Sequence, residues 1–262
     1  MKAFTYHSAS SVKEATKLAS GSSAYLSGGM TMLPSMKMRL ASYKDIINVK
    51  DIKDLQGIKV SGKTVKIGAA TNHADVASSK DVQKAIPSLS SLAGRIGDAQ
   101  VRNRGTVGGS IANNDPTACY PSACLALNAV IHTSERKIEA EKFFKGMFET
   151  ALKKGELITS IEFAIPEKSH YFKHPNPASR YAMVGVYVAK HKKEVNVAIT
   201  GAQSSVYRDK TIEKALTEKF SPEALSEISI DSGELNSDIH ASAEYRASLI
   251  ISSAKKAVEA SK

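Results

Sequence analysis

Two glycine pairs constrain this chain more than any other feature of its sequence. Gly28-Gly29 follows a short apolar run, Ala24-Tyr-Leu26, within the segment Leu26-Ser-Gly-Gly-Met-Thr-Met32. Gly108-Gly109 lies within Thr106-Val-Gly-Gly-Ser-Ile-Ala-Asn-Asn114, inside a Gly- and Asn-rich stretch from Arg102 to Asp115 that has little periodicity. Glycine adopts positive φ at no steric cost and lets a phosphate or another backbone come close. Successive N–H groups in such turns form concavities that bind anions. The hydroxyls of Thr31, Thr106 and Ser110 flank the pairs as further donors. Together the two segments suit the two phosphates of a dinucleotide, while each one alone reads better as a tight turn. Neither G-x-G-x-x-G after the first strand nor G-x-x-x-x-G-K followed by Ser or Thr is present, which disfavours a Rossmann fold and a P-loop enzyme.

The elements around these segments predict an α+β chain. Strands are expected at Ala3 to His7, Ala24 to Leu26 and Asp45 to Val49. Ser11-Val-Lys-Glu14 is a capping-box pattern that opens a helix with Val12, Ala15, Leu18 and Ala19 on one face. Met32 to Leu40 is expected to form a helical turn or two. Ile58 to Val60 and Thr64 to Ala69 alternate around Ser61-Gly62, a hairpin signal. His73 to Ala85 and Ser88 to Ile96 look helical, and Pro121 opens an apolar helix running to Val130. Strands follow at Val130 to Thr133, Ile138 to Ala140 and Leu157 to Ile165. Pro166 to Ser179, with three prolines and two histidines, reads as a linker or long loop. Beyond it come a strand pair, Tyr181 to Ala189 with Glu194 to Ala202, and helices at Asp209 to Glu218, Pro222 to Ile228 and Ala241 to Ala260.

Several function classes are disfavoured. The net charge is +10, but Lys and Arg are scattered rather than gathered on one element, so a solvated basic surface or an acidic partner is preferred to nucleic acid. Cys119 and Cys124 are too few for an iron–sulfur cluster, which takes four cysteines, or for a structural zinc site. His170 and His174 have helical ligand spacing, but the prolines beside them place them in a loop with no metal expected. No apolar run approaches the roughly 20 residues of a membrane span, and no secretory signal is visible, so a cytoplasmic protein is the default. No nucleophile with its base and no acid–base pair stands out.

The stretch Ile96-Gly-Asp-Ala-Gln-Val-Arg-Asn-Arg-Gly-Thr-Val-Gly-Gly-Ser-Ile-Ala-Asn-Asn-Asp-Pro116 closely resembles the flavin subunits of the xanthine dehydrogenase and carbon monoxide dehydrogenase family. So do Ser27-Gly-Gly-Met-Thr-Met-Leu-Pro-Ser-Met-Lys-Met-Arg-Leu40, Ile67-Gly-Ala-Ala-Thr-Asn-His73 and Pro177-Ala-Ser-Arg-Tyr-Ala-Met-Val-Gly185. Glu244-Tyr-Arg246 matches a recurring C-terminal feature. The segments keep family order over nearly the whole chain, which is far more specific than either glycine pair.

The resemblance implies a PCMH-type, vanillyl-alcohol-oxidase-like FAD fold over residues 1–168, in subdomains of about 1–55 and 56–168, with a C-terminal α+β domain over 169–262. It implies that Leu26, Ser27, Gly28, Gly29, Met30, Thr31 and Met32 wrap the FAD pyrophosphate, with Thr106, Val107, Gly108, Gly109 and Ser110 opposite. Ile96 is expected to contact the cofactor apolarly, and Ile158 and Lys173 to approach it from the far end of the domain, where a cation would favour a reduced, anionic flavin. His73 reads equally as a site residue or as a packed core histidine. Cys119 stands where the family commonly has an acidic residue that can bind a ribose hydroxyl; Asp115 or a backbone group is expected to compensate.

The family further implies a molybdenum-containing large subunit, a small subunit with two 2Fe–2S clusters, and an electron acceptor, assembled as a dimer of heterotrimers. The molybdenum cofactor and the clusters are expected in those partner chains and not in this one. The alternatives are a stand-alone FAD-dependent oxidoreductase of the same superfold and an assembly subunit that has lost FAD.

Overall fold

In the computed structural model, which describes residues 1–261, the chain builds three main sheets in sequence order. The first is small and parallel, with strand order β1-β3-β2: β1 (Thr5–Ser8), β2 (Ser23–Leu26) and β3 (Asp45–Asn48). Helix α1 (Val12–Leu18) connects β1 to β2, and α2 (Met32–Lys37) connects β2 to β3. Ser11 caps α1 by accepting the Glu14 N–H, as its sequence pattern predicts. The return half of the capping box is displaced by one residue, since the Glu14 carboxylate takes the N–H and hydroxyl of Ser10 rather than of Ser11.

The second sheet is antiparallel, with strand order β4-β5-β10-β6-β7. It comprises β4 (Ile58–Ser61), β5 (Thr64–Gly68), β6 (Val130–Thr133), β7 (Lys137–Glu139) and β10 (Ile158–Ala164). Between β5 and β6 the chain runs through six short helices: α3 (His73–Ser78), α4 (Lys80–Ala85), α5 (Pro87–Gly94), α6 (Ala99–Arg104), α7 (Val107–Asn113) and α8 (Tyr120–Ala126). After β7 come a single turn, α9 (Ala140–Phe143), and a two-stranded hairpin of β8 (Phe144–Gly146) and β9 (Glu149–Thr150). The apolar faces of β5, β10 and β6 meet α3, α5, α7 and α8 in the largest core, centred on Ile67, Ile131, Ile161, Leu89 and Ile111.

The third sheet, β11-β12-β13-β14, is antiparallel: β11 (Lys168–Pro175), β12 (Ala182–Lys190), β13 (Val195–Thr200) and β14 (Tyr207–Arg208). Its central strands are buried almost throughout because both faces are covered. Tyr171, Tyr187 and Ala198 join the core under the second sheet, while Val186, Val188 and Ile199 pack with α10 (Lys210–Glu218) and α11 (Ala243–Glu259). No helix among the described residues is long and apolar enough to cross a membrane.

Three local expectations are corrected. The stretch Arg102 to Asp115, whose sequence has little periodicity, is mostly helical, in the end of α6 and in α7. Thr106 caps α7 by accepting the Gly109 N–H, and Asn114 ends it in the left-handed region at φ 43°. The expected helix over 73–85 breaks at Ser79, which closes α3 and caps α4 through the Val82 N–H. The Pro-rich segment after Pro166 is not a linker but strand β11. Its prolines fall outside the strand or at its last residue, and Ser169, Tyr171 and Lys173 alternate inward. His170 and His174 therefore lie on a strand, and no group of three or more His, Cys, Asp or Glu among the described residues is placed to hold a metal.

Candidate functional site

The first glycine pair lies at the C-terminal end of β2, where open parallel sheets receive ligands. Gly29 has φ +71°, which turns the chain sharply into α2. Gly28 is buried because the second segment presses on it: a Cβ there would fall 2.3 Å from the Arg104 carbonyl oxygen and 2.8 Å from the Gly105 Cα. Ser27 Oγ and Thr106 Oγ1 then join the two segments by a hydrogen bond of 3.0 Å. The glycine segments are thus side by side, and they line one open cleft of about 500 Å³.

This cradle fits a diphosphate. The N–H groups of Gly28 and Met30 have no partner among the described residues, and both residues line the cleft. Gly28 is buried, and a buried N–H is seldom left unpaired, so this donor at the cleft is suited to an anion; Met30 is exposed beside it. The second segment contributes differently. The N–H groups of Val107 and Gly108 turn inward to the carbonyls of Thr71 and Ala69. Gly108 is needed for packing, since a Cβ there would lie 2.5 Å from that of Ala69. Gly109 and Ser110, the next two residues of α7, line the cleft.

The opposite end of the cleft is closed by the third sheet. Lys173 on β11 is only 3% exposed, and its ammonium has no carboxylate in ion-pair range. It donates instead to the carbonyls of Arg95 at 2.6 Å and Arg180 at 3.0 Å, and reaches Cys119 Sγ at 3.7 Å. One buried cation therefore ties β11 to the end of α5 and to the turn before β12. Arg180, at φ +63°, also donates to the Gly97 carbonyl at 3.3 Å, and beside it Tyr181 stands half exposed at the rim. Asp115 lines the cleft too, but its Oδ1 is held by the N–H and hydroxyl of Thr117.

His73 opens α3 and forms part of the cleft wall, 4% exposed, its ring 5.4 Å from that of Tyr120. Burial, reinforced by the nearby charges of Lys50 and Arg102, pushes its pKa down to about 4, so the imidazole is neutral near pH 7. Its Nδ1 is buried without a hydrogen-bond partner among the described residues.

Of the residues singled out from sequence, Leu26 to Met32, His73, Ile96, Thr106, Gly109, Ser110, Asp115, Cys119 and Lys173 all line this cleft. Val107, Gly108 and Ile158 do not. Val107 and Ile158 are core residues, 0% and 4% exposed, and Ile158 pairs with Thr133 across β10 and β6. Reading sequence alone missed Tyr43, Gly105, Arg180 and Tyr181, which also line it. The last two lie in the segment Pro177 to Gly185, whose likeness to the family was visible but which carried no glycine or charge pattern to mark a role.

A glycine-lined cleft, with a parallel sheet on one side and an antiparallel sheet with its covering helices on the other, defines a protein of the extended-dinucleotide class. Comparison with known proteins narrows this. Residues 2–167 match the family described as the FAD binding domain in molybdopterin dehydrogenase. The glyceraldehyde dehydrogenase medium chain of Sulfolobus acidocaldarius is 33% identical over 94% of this chain and 91% of its own length. The carbon monoxide dehydrogenase medium chain of Hydrogenophaga pseudoflava is 34% identical over 98% of this chain and 96% of its own. Among solved structures, carbon monoxide dehydrogenase from Hydrogenophaga pseudoflava superposes with a TM-score of 0.89 at 31% identity, covering 99% of this chain and 97% of that one. The reconstituted enzyme from Oligotropha carboxidovorans gives 0.91 at 27% identity, covering 98% and 97%. The chain belongs to the family of FAD-binding medium subunits of the xanthine and carbon monoxide dehydrogenases; it is an oxidoreductase subunit, and its cofactor is FAD.

Proposed function

We propose that this chain relays electrons from the 2Fe–2S clusters of a small partner chain, through FAD, to an external acceptor. A molybdenum-containing large subunit would oxidise the substrate, in a dimer of heterotrimers. The observation that carries the reading is the joining of the two glycine segments through Ser27 and Thr106 on one cleft, in a chain that matches medium subunits along nearly its whole length.

The residues divide the work. The free N–H groups of Gly28 and Met30 receive the pyrophosphate, with the hydroxyls of Thr31 and Ser110 at its flanks. Lys173 supplies a desolvated positive charge that no carboxylate cancels, which favours an anionic group at its end of the cleft. Cys119, with a weakly bonding thiol, sets that charge in place without neutralising it. Neutral His73 adds a polar edge but no charge. FAD, when bound, accepts electrons singly and releases them singly or in pairs, which is the property a relay needs. The domain division read from the sequence, 1–168 and 169–262, is part of this proposal: the C-terminal unit would complete the cleft through Lys173 and Tyr181.

Flavin reconstitution tests the cradle. Incubated with excess FAD, the wild-type chain is expected to hold about one FAD per chain, and Cys124→Ser to match it, since Cys124 is fully buried in α8 away from the cleft. Gly109→Val is expected to retain less than a tenth, because a Cβ there meets Thr106 Oγ1 at 2.9 Å and its branches project into the cleft. Absence of flavin absorption bands from the wild type would overturn the reading; equal flavin in both variants would remove α7 from the cradle.

A further inference from the structure

The two cysteines of this chain sit in opposite surroundings. Cys124 is fully buried in α8 and does not line the cleft, and burial pushes its thiol far above the ordinary range. Cys119, the residue that precedes α8, is 6% exposed and lines the open cleft. Its Sγ lies 3.7 Å from the Lys173 ammonium, a cation that no carboxylate among the described residues pairs. A second donor is aimed at the same sulfur. The Tyr171 hydroxyl is 1% exposed, has no hydrogen-bond partner among the described residues, and is directed at the Cys119 thiol. Tyr171 and Lys173 are alternate residues of β11, so both side chains leave the same face of the strand.

Two buried donors thus converge on a thiol, which is a weak acceptor. A buried hydroxyl without a partner calls for an explanation, and an oxygen bonded to the sulfur would supply the strong acceptor that both donors lack. Cysteines in electropositive surroundings open to solvent are the reactive ones, whereas those packed in an apolar core are inert. We propose that Cys119 is an oxidation site for hydrogen peroxide, and that the Lys173 ammonium and the Tyr171 hydroxyl hold the oxygen it gains. In the step the sulfur attacks one peroxide oxygen. An S–O bond forms, the O–O bond breaks, and the sulfur gives up two electrons. The departing hydroxide takes the thiol proton and leaves as water. Facing an ammonium and a hydroxyl donor, the product is held as the sulfenate anion, its proton released to the cleft. Burial, then the thiol beside it, push the Tyr171 pKa well above its usual value, so that hydroxyl stays a donor throughout. The sulfenate cancels the positive charge of Lys173 and so loosens the cleft's hold on an anionic cofactor; this last consequence rests on the cleft being the FAD site.

The test uses this chain, purified, reduced and freed of FAD, then treated with hydrogen peroxide in the presence of dimedone, which traps sulfenic acid. Peptide mass spectrometry is expected to find dimedone on Cys119 and none on Cys124. Lys173→Met and Tyr171→Phe are each expected to lower the yield at Cys119 by about tenfold, and bound FAD to lower it by about as much. Treated with peroxide alone, the chain is expected to bind FAD about tenfold less tightly, and to recover once a thiol reductant returns Cys119 to the thiol. An unlabelled Cys119, equal labelling of the two cysteines, or a disulfide between them would overturn the proposal. So would yields unchanged in both variants, or equal FAD affinity before and after oxidation. If a variant does not fold, the contrast between the two cysteines of the wild type still decides. Failure of the untreated chain to bind FAD would defeat the flavin reading and leave the labelling to decide this one.

Discussion

At the scale of single residues, His73 is a buried imidazole in the cleft wall. Its folded-state pKa of about 4 lies below the ordinary 6.5, so the unfolded chain binds the proton more readily. Stability is therefore full above pH 6.5 and is lost as pH falls from 6.5 towards 4, by about 3 kcal/mol for this group. Urea unfolding of the wild type and of His73→Gln between pH 4 and 7 checks this: the variant should lack most of that slope. Parallel slopes would mean that the imidazole is not held neutral. The glycines also differ at this scale. Gly28 and Gly29 were legible as a tight turn of close approach because paired glycines leave a sequence mark. The separate duties of Gly108 and Gly109 were not, because which one meets Ala69 and which faces the cleft depends on the rotation of α7. Ile158 was misplaced for a related reason: a strand alternates its faces residue by residue, and only register decides that Ile158 points into the core.

At the scale of elements, periodic segments were readable and segments held by tertiary contacts were not. The strands β5, β6, β10, β12 and β13 and the helix α11 follow their apolar pattern. Helix α7 did not, since Gly108, Gly109 and Asn113 interrupt its apolar pattern and its ends are fixed by the Thr106 cap and the left-handed Asn114. Strand β11 was hidden by its prolines, and its pairing with β12, with Ser169, Tyr171 and Lys173 turned inward, reveals it. The β8–β9 hairpin has no alternating strand pattern, and it hangs from Asn114, whose amide donates to the carbonyls of Gly146 and Glu149, each at 2.8 Å. Asn114 also tolerates the left-handed backbone that alanine resists. Asn114→Ala is expected to destabilise the chain by about 2 kcal/mol, through two lost part-buried hydrogen bonds and the strained φ. Equilibrium unfolding checks the value. A change within 0.5 kcal/mol would show that the hairpin is held some other way.

At the scale of the whole molecule, the cleft is a joint product of the three sheets, and the third is coupled to it in several places. Thr200 Oγ1 donates to the carbonyls of Pro116 and Ala118, the Gly201 N–H also donates to Pro116, and Lys173 grips Arg95. Lys173→Met removes the charge and these donors while filling similar space. Flavin retention should fall at least tenfold, while cooperative unfolding persists; calorimetry beside flavin content separates the two. Wild-type flavin content in that variant would show that the third sheet packs beside the cleft without serving it. The order of the family segments along the sequence already indicated this whole-molecule arrangement, whereas the clamp of Lys173 on two backbone carbonyls had no sequence signal at all.

The central claim is that this chain is the flavin relay of a larger assembly. Native mass spectrometry of the protein isolated from its source, with flavin and metal analysis of the same sample, tests it most directly. The account predicts one FAD for each copy of this chain, iron in a small partner chain and molybdenum in a large one. A monomer free of iron and molybdenum that nevertheless turns over a substrate with its own flavin would contradict it.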